Sequence, residues 1–139
     1  MNFTIGSINW PADHREAICL YLKYIIKTLE ELHIAFSNDS RDPIEIAKGY
    51  INGAITGDMC RAESVRWWEI VDTEDSIRDF QNPRILMARM AICLLSIDEN
   101  DTLSLGEDLS WFIELLDSMN ADTDRAITIM IDHFTSHTN

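Results

Sequence analysis

The chain has 139 residues, 46% of them hydrophobic and 25% charged, with a formal net charge of −13. That length buries a continuous core without disulfides or metals, and the composition is that of a globular domain rather than a disordered segment. The acid excess speaks against nucleic acid and anionic membrane surfaces as partners, because phosphate binding rests on neutralisation by Lys and Arg.

The charge is unevenly spread. Residues 1–90 carry ten basic and fourteen acidic side chains, whereas residues 91–139 carry ten acidic side chains and a single basic one, Arg125. A field of this sign attracts and steers basic protein surfaces. No apolar run approaches the roughly 20 residues that span a bilayer. The stretch Ile18–Leu22 is interrupted by Lys23 and Lys27, and the first seven residues lack the basic and apolar regions of a secretory signal. A cytoplasmic protein is expected. Cys19, Cys60 and Cys93 are scattered and odd in number, which suits small buried hydrophobes in a reducing compartment rather than a disulfide framework or a zinc site.

In chain order, six helices are predicted. The first spans Trp10 to Phe36, with Pro11 in its first turn and Ile18, Leu22, Ile25, Leu29 and Leu32 at helical spacing. Lys27 and Glu31 form an i,i+4 pair on its wet face. A polar turn over Ser37–Asp42 follows. Asp42-Pro43 opens the second helix, which runs through Ile55 and carries Gly49 and Gly53 at the spacing of a close helix crossing. Gly57-Asp58 closes it and caps the third, Cys60 to Val71, with Ala62, Val65 and Trp68 as its core stripe and Trp67 at the margin. Thr73–Gln81 reads as a loop with one helical turn near Ile77.

Asn82-Pro83 repeats the cap-and-proline device and starts the fourth helix, Arg84 to Ile97. It is apolar nearly all round, so it is expected to be the most buried element. Arg89 within it requires an acid partner, for which Glu69 and Asp72 are the candidates. Ser104 and Glu107 form a capping box for the fifth helix, Leu105 to Met119, whose core stripe is Leu109, Phe112, Ile113 and Leu116. The sixth runs from Thr123 to Phe134, and Thr135–Asn139 form a frayed tail. No strand alternation or repeat occurs. The fold class is all-α, one compact domain of about six mostly antiparallel helices.

Motifs that carry chemistry are incomplete. Glu30-x-x-His33 matches half of a di-iron carboxylate motif, and its second copy is absent. His133-x3-His137 lacks the following Glu of a metalloprotease helix, and the turn Asp98-Glu99-Asn100-Asp101 lacks the glycine and closing glutamate of a calcium loop. No P-loop, G-x-S-x-G or dinucleotide fingerprint is present. No metal, no cofactor and no catalytic activity are expected. What remains is surface: Glu107, Asp108, Glu114 and Asp117 around Trp111, the acidic turn of Asp98, Glu99 and Asp101, and Trp67 as a marginal aromatic.

In size, acidity, helicity and lack of active-site motifs, with the Trp67-Trp68…Asp72 and Trp111-Phe112 clusters in acidic surroundings, the chain resembles the small immunity proteins of bacterial polymorphic-toxin and contact-dependent inhibition systems. The resemblance implies stoichiometric, non-catalytic binding of a cognate toxin, blocking its active site; the acidic surface and aromatics named above are the expected contact residues. The alternative is a helical adaptor or regulatory subunit that binds through an apolar groove.

Overall fold

The first long helix begins where the chain first offers a strong cap. Asp13 accepts a hydrogen bond from the backbone N–H of Glu16 at 2.9 Å, and helix α1 runs His14–Glu31. Pro11 therefore precedes the helix, and Trp10 and Phe36 lie outside it. The computed structural model describes residues 4–36, 42–73 and 83–136. The turn over residues 37–41, the loop over 74–81, the cap Asn82 and His137 lie outside the described residues.

Five further helices follow: α2 Pro43–Ile51, α3 Gly57–Thr73, α4 Pro83–Leu95, α5 Leu105–Ser118 and α6 Thr123–Ser136, with a 3-10 turn at Ile5–Ser7. The described residues contain no strand. This is the all-α class expected, with the boundaries of the helices adjusted by their caps.

Three helices end in the same way. His33 (φ 58°), Gly53 (φ 87°) and Asn120 (φ 59°) each take a left-handed conformation just past a helix. At each, the pair of closing bonds of a Schellman motif forms: His33 N to Glu30 O and Ile34 N to Leu29 O, Gly53 N to Tyr50 O and Ala54 N to Gly49 O, Asn120 N to Asp117 O and Ala121 N to Leu116 O. The second helix thus stops four residues before the predicted Ile55. The two glycines do not mark a helix crossing. Gly53 supplies the left-handed turn, and Gly49 leaves room for Ile55, which folds back so closely that a Cβ on Gly49 would lie 2.6 Å from the Ile55 side chain.

Helix α4 is the buried centre. Ile85, Leu86 and every residue from Ala88 to Leu95 are buried, and α4 packs against α2, α3 and α5. Arg89 is buried, only 8% exposed, as its place in this helix led one to expect. Helix α1 packs on α2, α5 and α6. Its tyrosines reach across the core, Tyr21 donating to the Cys93 carbonyl at 2.9 Å and Tyr24 to that of Ala126 at 2.8 Å. On the surface, Glu31 pairs with Arg125 at 2.6 Å rather than with Lys27.

The left-handed positions carry the first prediction. His33→Gly should raise stability by about 0.5–1 kcal/mol, because a Cβ disfavours this backbone, and Gly53→Ala should lower it by about 1 kcal/mol. Urea midpoints of the two variants should move in opposite directions. Movement the same way would show that the turns are not held as described.

Candidate functional site

The acidic half of the molecule starts at the end of α4. Residues 96–104 connect α4 to α5 and are tied down from several sides. Arg61 donates from Nη1 to the Ile97 carbonyl at 2.9 Å, and its Nη2 pairs with Asp58. His14 donates from Nδ1 to the Glu99 carbonyl at 2.7 Å. The Glu99 carboxylate lies over Gly57, the first residue of α3, where a Cβ would collide with it. An anion there lies at the positive end of the α3 dipole. The turn also holds itself, Asn100 N donating to Asp98 Oδ1 at 2.8 Å and Leu103 N to Asp101 Oδ1 at 3.2 Å.

The expected capping box at Ser104 does not form. Ser104 already has helical backbone angles and makes no side-chain cap, because the chain is winding from Thr102, whose carbonyl accepts from Leu105 N at 3.4 Å. Helix α5 buries Leu105, Leu109, Phe112, Leu115 and Leu116, with Ile113 only half-buried. Its outer side carries Glu107, Glu114 and Asp117, all exposed. Asp108 is half-buried, and its carboxyl is pushed up from its ordinary range by burial first, then by the negative charges of Glu107 and Asp101.

Of the nine expected contact residues, then, Asp98, Asp101, Glu107, Glu114 and Asp117 are exposed. Among the described residues, none of these five is paired with a cation. Glu99 turns inward to the start of α3, and Asp108 is partly sheltered. The two tryptophans are half-buried. Trp111 packs against Val71, Ile85, Ala88 and Ile92, so it joins α5 to the α3–α4 layer. Trp67 packs on the same cluster and meets Phe36 edge-on at 5.8 Å.

Helix α3 is rotated relative to the sequence reading. Its inward residues are Cys60, Ser64, Trp67 and Val71, while Ala62, Val65 and Trp68 are exposed. Trp68 is 44% exposed and points its indole N–H at Ser96 Oγ, 3.4 Å away, at the start of the acidic connection. Sequence periodicity missed it because α3 has apolar residues at helical spacing on both sides. The exposed Leu103 was also missed. It is 95% exposed between Asp101 and Glu107, and a single leucine in a turn carries no periodic signal.

Among the described residues, no group of three or more His, Cys, Asp or Glu side chains is placed to hold a metal ion. Glu30 pairs with Lys48 at 2.9 Å, and His33 is the exposed helix-ending residue. His133, within α6, belongs to the core: it is buried, donates to the Leu20 carbonyl at 3.0 Å and lies edge-on to Phe134. Near the Glu99 turn, Arg15 donates to the Tyr50 carbonyl at 2.7 Å and sits 4.5 Å over the Tyr50 ring. Burial, aided by the charge of Glu99, pushes the Tyr50 phenol up to about 12. Burial also raises the thiols, Cys60 to about 11, Cys93 further and Cys19 less far. These shifts hold protons on, the reverse of what a nucleophilic cysteine needs. No described helix is long and apolar enough to cross a membrane.

No family model, curated protein or solved structure matches the chain.

Native alkylation at pH 8 should modify the half-exposed Cys19 first, and Cys93 only as fast as the protein unfolds. Equal rates at the three thiols would contradict the burial described. The raised Asp108 carboxyl has a pH signature. It binds its proton more tightly folded than unfolded, so its contribution to stability is present below the ordinary carboxylate range and lost as pH rises through the raised value. Asp108→Asn keeps the shape without the titration. Its urea midpoint relative to the parent should therefore improve between pH 3 and pH 7, and an unchanged difference would remove the shift.

Proposed function

We propose that this chain is a non-catalytic immunity protein that neutralises a cognate bacterial toxin by laying its acidic side, residues 98–117, over a basic active site. The observation that carries the reading is the set of exposed carboxylates of Asp98, Asp101, Glu107, Glu114 and Asp117, with no cation paired to them among the described residues. Arg125, the one basic side chain in the last 49 residues, is engaged by Glu31 from another helix. Among the described residues no cation neutralises these carboxylates, and the field they project favours association with a cationic surface. The raised thiol and phenol groups and the incomplete metal motifs support a binding role over a catalytic one. The adaptor alternative has an observation of its own, a shallow apolar groove of about 250 Å³ between α5, α6 and the 3-10 turn, lined by Ile5, Ile113, Ile127 and Met130.

The test uses the C-terminal domain of a secreted protein encoded beside this chain, co-expressed with it. Growth should be restored by the parent chain. In binding kinetics, reversal of Asp101, Glu107 and Glu114 to Lys should slow association at least tenfold at low salt while circular dichroism stays unchanged. The difference should shrink as salt shortens the Debye length from about 30 Å at 0.01 M to about 8 Å at 0.15 M. An association rate indifferent to the reversal would return the acidic side to the role of solubilising surface. Loss of binding on Ile127→Asp instead would favour the adaptor.

A further inference from the structure

We infer that the exposed ring of Trp68, not Trp111, is the aromatic anchor of the basic partner, and that it receives an arginine side chain across its face. This rests on the acidic-side reading above and adds to it the residue that fixes the contact. Interface anchors are large aromatics accessible before binding and desolvated after it. Trp111 and Trp67 do not qualify, since both are already spent on the Val71–Ile92 cluster. Trp68 stands 44% exposed, with Val65, three residues earlier on the same side of α3, 52% exposed. Its indole N–H is directed at Ser96, so the ring is oriented from one edge and lies against the start of the acidic connection.

The electrostatics around it favour a cation. Asp72, four residues on, shares the face of α3 that carries the ring, and Asp98 follows two residues after Ser96; both are exposed. Of the described residues of α3, Arg61 is occupied by Asp58 and the Ile97 carbonyl, and Arg66 by Glu63 at 3.9 Å. A guanidinium can stack on indole while its N–H groups reach flanking carboxylates, whereas a lysine ammonium offers a point charge without the planar fork. The partner is therefore an arginine-bearing protein surface.

The probes are hexa-arginine and hexa-lysine peptides, titrated at 0.15 M salt into the full-length chain while the four indole N–H signals are followed by NMR. The Trp68 signal is assigned by its loss in Trp68→Phe. Hexa-arginine should shift the Trp68 signal well beyond those of Trp10, Trp67 and Trp111, and hexa-lysine should bind more weakly. Trp68→Leu, which keeps an apolar side chain, should weaken hexa-arginine roughly 2- to 5-fold, and Trp68→Phe by less, as expected for an exposed cation–π contact. If hexa-arginine binds the parent and Trp68→Leu equally well, the anchor is overturned while the acidic-side reading stands. If the parent binds no better than the Asp101, Glu107, Glu114 reversal, the acidic-side reading fails and the anchor with it.

Discussion

A helix with apolar side chains on every side has nowhere to go except the middle of a protein, and α4 is such a helix. Covering it takes α2, α3 and α5, while α1 and α6 close the remaining apolar surface against α2 and α5. The position of α4 also decides where its C-terminal end emerges, and hence where the acidic connection of residues 96–104 is presented. Arg61 and His14 hold that connection by its backbone, and the Glu99 side chain lies close against Gly57 at the start of α3. A segment dense in like charge is thereby kept ordered by contacts made chiefly to its main chain, which leaves most of its carboxylates outward.

Burial first, and then the negative charges of Glu107 and Asp101, raise the carboxyl of Asp108, so the acidic side chains of this region repel one another at some cost. Net repulsion of this sort is tolerated where it serves solubility or attraction of an opposite charge. Elsewhere in the fold, burial makes the thiols and the Tyr50 phenol hold their protons, and the polar cluster of Arg15, Tyr50 and Glu99 lies where the end of α2 approaches the start of α3.

Much of this was legible from residues alone. Asp42-Pro43 starts a helix wherever it is placed next to a helical apolar pattern, because the cap and the fixed proline angle act within one turn. The uniform apolarity of residues 85–95 led directly to the central position of α4. The helix ends were less visible. His33 is a poor signal for a left-handed turn, yet it ends α1, since the Schellman bonds and the burial of Leu29 outweigh the strain on its backbone. The capping box at Ser104 was a correct pattern in the wrong conformation, pre-empted by a chain already winding from Thr102.

The sequence by itself determined the all-α class, the number of helices, the burial of α4 and the one-sided distribution of charge, because each depends on properties of a residue and its neighbours within one or two turns. Tertiary structure decided which side of α3 faces inward. Met59, Ala62 and Val65 on one side and Cys60, Ser64, Trp67 and Val71 on the other are both plausible stripes, and only the packing of α3 onto α4 chooses between them. That choice turns Trp67 inward, half-buried, and leaves Trp68 out. It also draws Trp111 under the α3–α4 layer and turns Glu99 toward Gly57, contacts made between residues far apart in the chain that no local periodicity encodes.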